Sequence, residues 1–218
     1  MTALATSAAA VAVIGLSLSS VTAGDQTGVA AANSVPAAVT LAPGQKAPDF
    51  SLKDTEGKSH SLKQYIESGK TVVVHWFNPN CPFIVRHYEK YPTFVELEKK
   101  YRSDNVVFLA VNSTNPNHPQ FGGDVENGKK WGVNYPILLD PAGEIGKLYG
   151  AKTTPHAFVI TKDGVIRYAG AIDDDPQDER SSKDKVNYVK QALDELRAGK
   201  PVTIAESKPY GCSVKYAQ

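Results

Sequence analysis

The densest apolar run in the chain is Val72-Val73-Val74-His75-Trp76-Phe77, and its β-branched and aromatic makeup predicts a strand covered on both faces. Asn78-Pro79-Asn80 ends that run. Ile84, Tyr88, Tyr91 and Val95 then recur at helical spacing, so a helix follows, and Pro92 inside it should kink it or divide it in two. Residues 106 to 111 read as the next buried strand, and residues 112 to 123, with Pro116, Pro119 and a Gly-Gly pair, as a long loop. A short strand at 135 to 139 and a short helix at 142 to 149, closed by Gly150, come next. Two apolar stretches, 157 to 161 and 165 to 169, flank Lys162-Asp163-Gly164, a hairpin signal. Val186, Val189, Leu193 and Leu196 mark an amphipathic helix ending at Gly199. Upstream, Phe50-Ser51-Leu52 alternates like a short strand, residues 55 to 58 turn the chain, and Ser61 is placed to cap a short helix reaching Ile66. Strand, helix, strand, helix, strand, strand, helix is the order of an α/β fold, with a central mixed sheet and helices on both faces.

The two ends of the chain differ from this middle. Residues 1 to 23 hold no Asp, Glu, Lys or Arg, are small and apolar from 8 to 18, and end in Ser20-Val21-Thr22-Ala23. That pattern reads as a signal peptide over 1–23, and it implies export to a periplasmic or extracellular location. Cleavage near Ala31 and a plain Ala/Ser-rich tail are the alternatives. Ser, Thr and Gly interrupt the apolar run, which argues against a membrane span remaining after signal removal. Residues 24–43 read as a linker, 44–200 as one domain, and 201–218 as a tail with Pro201, Pro209 and Gly211. At 218 residues, 41% hydrophobic and 22% charged, the chain can build a core unaided by metal or disulfide. A net charge of +1 and no basic stripe point away from nucleic acid.

Candidate chemistry centres on one of two cysteines. Cys81 follows a buried strand and a turn and opens a helix, where the free N–H groups and the dipole favour a thiolate. Pro82 suits the first helical position, having no N–H to satisfy. The competing reading is that Cys81 is a small buried hydrophobe. The second cysteine, Cys212, is too far along the chain for a local metal knuckle. Among other candidates, Arg86 reads as a solvated surface charge, His75 as a core histidine, and His87 as pointing away from Cys81 at its spacing of six. His118 and His156 show no partner. Asp173-Asp174-Asp175 lacks the spacing of a calcium loop and reads as a solvated turn. Phosphate-cradling glycine loops and a Ser-His-Asp order are absent from the sequence.

Trp76 to Ile84, WFNPNCPFI, resembles the active-site region of thioredoxin-like thiol-disulfide oxidoreductases, and Thr153-Thr154-Pro155 resembles the Thr-Pro of that fold. In those proteins the proline is cis and lies against the attacking cysteine. The segment from Gly44 to Phe50, GQKAPDF, is similar to the opening of redoxin and alkyl hydroperoxide reductase/thiol-specific antioxidant domains. Leu139-Asp140, Tyr149-Gly150-Ala151 and the hairpin through Gly170 continue the likeness, and KPYGCSVK around Cys212 resembles the ending of peroxiredoxin-like secreted redoxins. The resemblance implies a thioredoxin-like fold, Cys81 and Pro155 in the reaction, Trp76, Pro82 and Thr154 near substrate, and no cofactor or metal.

Two departures limit what carries over. Ile84 stands where the second cysteine of the C-x-x-C window belongs, so no local disulfide can form. Val74 and Asn78 stand where peroxiredoxins carry Pro and Thr before their cysteine. Cys212 is then a resolving cysteine for Cys81, the partner in a permanent disulfide, or an unconnected thiol. The implied function is an exported thiol-disulfide oxidoreductase with a protein or small-molecule thiol or disulfide substrate and an external reductant. A thiol peroxidase and a copper carrier using both cysteines and a histidine are the alternatives.

Overall fold

A computed structural model describes residues 41 to 217 except Ser182. The expected signal peptide, 1–23, and most of the expected linker lie outside the described residues.

The valine run forms β3 (Thr71–Trp76), and every residue from Val72 to Trp76 is buried. Burying a valine fully is worth about 1.5–3 kcal/mol, which is why this segment takes the middle of the sheet. It pairs in parallel with β4 (Val106–Asn112), Thr71 opposite Val106 and Trp76 opposite Val111. On its other side it pairs antiparallel with β7 (Ala157–Ile160), which turns through residues 161 to 165 into β8 (Ile166–Gly170). Beyond β4 lie β5 (Ile137–Leu139), β1 (Ser51–Asp54) and β2 (Ser59–Ser61). The seven strands run β2-β1-β5-β4-β3-β7-β8, parallel at β3–β4–β5 and antiparallel elsewhere, a mixed sheet as expected.

Side chains alternate across β3 and build two cores. Val73 and Phe77 face Ile84, Tyr88, Phe94, Leu97 and the C-terminal helix, whereas Val72, Val74 and Trp76 face Leu62, Tyr149 and Phe158. Helices α2 (Pro82–Val85), α3 (Thr93–Tyr101) and α6 (Tyr188–Arg197) cover the first face. Helices α1 (Leu62–Glu67) and α5 (Glu144–Leu148) cover the second. Ser61 caps α1 as its position implies, accepting from Gln64 N at 3.1 Å. Pro92 divides the helix that follows β3: α2 continues as a π-helical turn, Arg86–Lys90, and α3 starts anew. The break changes which residues face inward. Phe94, Leu97 and Tyr101 are buried in α3, while Tyr91 and Val95 of the continuous-helix pattern are only partly covered. A further helix, α4 (Asp124–Lys130), occupies a stretch that carries no apolar period.

The tail folds back along the domain. Ala169 N–H donates to Ala205 O, Ser207 N–H donates to Ala169 O, and β9 (Cys212–Ser213) pairs antiparallel with β6 (Thr153–Thr154) as a separate two-stranded ladder.

Candidate active site

Cys81 sits where β3 gives way to α2, at the cap position of the helix, with Pro82 at the first helical position. Its side chain makes no capping bond; Sγ lies 3.1 Å from Thr154 O and donates to that carbonyl. The turn before it is braced. Asn78 accepts from Asn80 N at 2.8 Å and donates to Thr114 at 2.9 Å, and Asn80 Nδ2 donates to Gln120 O and Gly122 O, each at 3.0 Å.

The structure brings Thr154, Pro155 and Cys212 to Cys81. The Thr154–Pro155 peptide is cis and buried. The β6–β9 ladder sets Thr154 opposite Cys212, and Gly211 rests on the Thr154 carbonyl. Both cysteines are unbridged, and Cys212 is half-buried, packed against the apolar cluster that holds Cys81. Burial first, and then the neighbouring Cys81 sulfur, push the Cys212 thiol up to about 11. Pro82 is exposed at the rim.

The structure does not bring Trp76 into this group. It is fully buried on the opposite face of the sheet, against Tyr149 and Phe158, with its indole N–H donating to Ser113 Oγ at 3.0 Å. The period-2 alternation of β3 puts it in the core that Cys81 does not touch.

Several residues read as surface features are instead part of the wall. Tyr210, two residues before Cys212, gives its hydroxyl proton to Asp173, so it accepts from Arg86 Nη2 and His87 Nε2, each 3.1 Å away. Arg86 also donates to Pro176 O at 3.2 Å and stacks over the rings of Phe83 and Tyr210. Asp173 and Asp175 are buried, so the triple-aspartate segment is not a solvated turn. Burial holds the Asp173 carboxyl above its usual range, although Tyr210, Lys185 and Arg86 pull it back. His87 faces the tail because the π-helical turn adds a residue and shifts the phase after Val85. A tyrosine paired with charged residues so distant in sequence leaves no periodic signal. Among the described residues, no third His, Asp or Glu joins the two cysteines in a metal-holding group, so the histidine of the copper alternative is not in place.

The AhpC/TSA family model matches residues 43–169. The thiol-disulfide oxidoreductase ResA of Geobacillus thermodenitrificans (strain NG80-2) is 32% identical over 129 residues, covering 58% of this chain and 68% of that protein. ResA of Bacillus cereus (strain ATCC 10987 / NRS 248) is 32% identical over 124 residues, 56% of this chain and 66% of the relative. The chain thus spans about two thirds of the length of these curated relatives. Among solved structures, an uncharacterized conserved protein from Geobacillus kaustophilus superposes with a TM-score of 0.71 at 27% identity, covering 80% of this chain and 92% of that one. Peroxidoxin BcpB from Mycobacterium tuberculosis, at 18% identity, TM-score 0.51 and coverages of 72% and 95%, shares the fold.

Proposed function

Because the chain belongs to the AhpC/TSA family, with a thioredoxin-like fold and a thiol-redox activity, we propose that it is an exported thiol-disulfide oxidoreductase in which Cys81 attacks and Cys212 resolves. The observation that carries this reading is that both cysteines meet at Thr154: Cys212 pairs with it in the β6–β9 ladder, and Cys81 Sγ donates to its carbonyl. In the reductive direction, the Cys81 thiolate attacks one sulfur of a substrate disulfide, the S–S bond breaks, and the other sulfur leaves as a thiolate. Cys212 then loses its proton, attacks Cys81 Sγ and expels the second substrate thiolate. The substrate has gained two electrons, the protein holds a Cys81–Cys212 disulfide, and an external dithiol reductant restores both thiols.

Mass spectrometry of protein oxidised with a small disulfide tests the scheme. Wild type is expected to lose two hydrogens and yield a Cys81–Cys212 linked peptide. Cys212→Ser should accumulate the mixed disulfide on Cys81, and Cys81→Ser should form neither species. Wild type whose two cysteines stay unlinked under such oxidation would refute the resolving role. The uncharged segment 1–23 supports export, and protein recovered outside the cytoplasm should begin at Gly24.

One observation favours a second reading, a thiol peroxidase: Cys81 is 0% exposed, a site that a molecule as small as hydrogen peroxide reaches more readily than a polypeptide does. Cys81 would take one peroxide oxygen as a sulfenic acid and release hydroxide, and Cys212 would displace that oxygen as water. The polar surroundings count against it, since the partner of Sγ is an acceptor carbonyl and Asn78 is turned to Thr114. Peroxide consumption that survives in Cys81→Ser would exclude it.

A further inference from the structure

The segment carrying Cys212 is held by a tyrosine on each side. Upstream, Tyr210 is bound into the cluster of Asp173, Arg86 and His87. Downstream, the Tyr216 ring lies on α5 where Gly143 and Gly146 leave room. A Cβ at either glycine would come within 2.6 and 2.5 Å of the ring. The Tyr216 hydroxyl donates to Ala151 O at 2.8 Å, and the Lys147 ammonium stands 5.7 Å from the ring centroid. Between these anchors the contacts are few: the two-residue ladder with β6, Val214 N–H to Lys152 O at 3.2 Å, and Asn115 N–H to Lys215 O at 2.7 Å. A short ladder on a half-exposed segment sits at the low end of local stability. Yet with it in place the Cys81 sulfur is fully covered.

We infer that residues 209 to 216 form a strap that must leave Cys81 before a polypeptide disulfide can reach it, and that Tyr210 and Tyr216 are the positioning residues that set how often it opens. Displacement of a substrate disulfide needs the attacking sulfur in line with the S–S bond, and a covered Sγ offers no such approach. Opening breaks no pairing of the seven-stranded sheet, because β9 pairs only with β6; it withdraws Tyr210 and Cys212 from the margin of one core and Val214 from the margin of the other. The strap therefore serves twice: docked, it presents Cys212 to Cys81; lifted, it exposes the attacking thiol. This rests on the reading of Cys81 as that thiol.

The test uses full-length protein in a Cys212→Ser background, where Cys81 is the chain's remaining thiol. Labelling rates of Cys81 are measured with iodoacetamide and with a polyethylene-glycol maleimide. Tyr216→Ala should raise both rates about tenfold or more, with the larger gain for the bulky reagent, whereas Tyr216→Phe, which keeps the ring on α5, should stay within about twofold of the background. Gly143→Ala, whose Cβ would meet only the Tyr216 ring, attacks the same contact from the other side and should act like Tyr216→Ala. Amide exchange in β3 and β4 should not change. Labelling unaltered in both Tyr216→Ala and Gly143→Ala, or a gain matched by faster exchange in β3, would overturn the strap. A Cys81 that labels quickly in these variants but fails to attack glutathione disulfide would sink the oxidoreductase scheme and leave the strap standing.

Discussion

Gly211→Ala is the sharpest perturbation of the site, because it leaves both cysteines and both tyrosine anchors intact. A Cβ at position 211 would lie 2.2 Å from Thr154 O, 2.8 Å from Thr154 C and 3.3 Å from Pro155 N. All three are backbone atoms of the segment that touches Cys81, so no side-chain rotation relieves the overlap. Overpacking costs about 1–3 kcal/mol where neighbours can yield. The residue also has φ +137°, which adds about 1–2 kcal/mol for any side chain other than hydrogen. Together these give about 2–5 kcal/mol against the docked tail, and at tenfold per 1.4 kcal/mol the Cys81–Cys212 disulfide should weaken roughly 30-fold to several thousand-fold against glutathione. The assay equilibrates wild type and variant in glutathione buffers of set ratio, quenches with acid and counts disulfide by mass. The main sheet should hold, since Gly211 belongs to neither core. An equilibrium constant within about threefold of wild type would refute the claim that the β6–β9 contact holds Cys212 in place.

Stability should fall in acid. His75 and His87 are held at about 3 and His156 at about 4, each first by burial, with Arg86 and Lys185 adding to the shift of His87 and Lys152 to that of His156. Below about 6.5 the unfolded chain takes up protons that the folded chain refuses, so stability present at pH 7 is lost as pH drops towards 4, at up to roughly 4 kcal/mol per pH unit for the three together. Urea midpoints equal at pH 7 and pH 5 would contradict this. Val74→Ala, in the middle of β3 with 0% exposure, should cost about 2–3 kcal/mol in urea unfolding by opening a cavity, and a cost under about 1 kcal/mol would mean the core of Leu62, Tyr149 and Phe158 is not packed around it as described.

What was legible in the sequence was whatever rested on local apolar density. The β3 and β4 runs, the 162–164 hairpin and the α6 face each state their element within a few residues. Helix α4 was not legible, because its seven residues carry a single large apolar side chain, Val125, and that one is exposed; it is held by Trp131 just after it and by Gly128 against Ile137. Pro92 announced a break but not its consequence, since a restarted helix resets the phase and turns Phe94 and Leu97 inward. The site divided the same way. Cys81, Thr154 and Pro155 sit in recognisable local motifs, whereas Asp173, Arg86 and Tyr210 acquire their roles only through pairing between distant segments.

With Cys212 as the proposed resolving cysteine, the exchange of a local for a distant partner would change what the redox state controls. Ile84 stands where a helix-borne partner would be, and it is fully buried in the core beneath α2. A cysteine there would keep the same relation to Cys81 in either redox state, because the helix holds both ends. Cys212 arrives on a tail secured by two anchors and a two-residue ladder, so its distance from Cys81 depends on docking. Docking and disulfide formation are then linked equilibria, and each must favour the other by the same factor. Oxidation would fasten the tail over Thr154 and Pro155, and reduction would free it to lift. The protein would expose its attacking sulfur only in the state that carries electrons to give, without any change in the sheet that positions it.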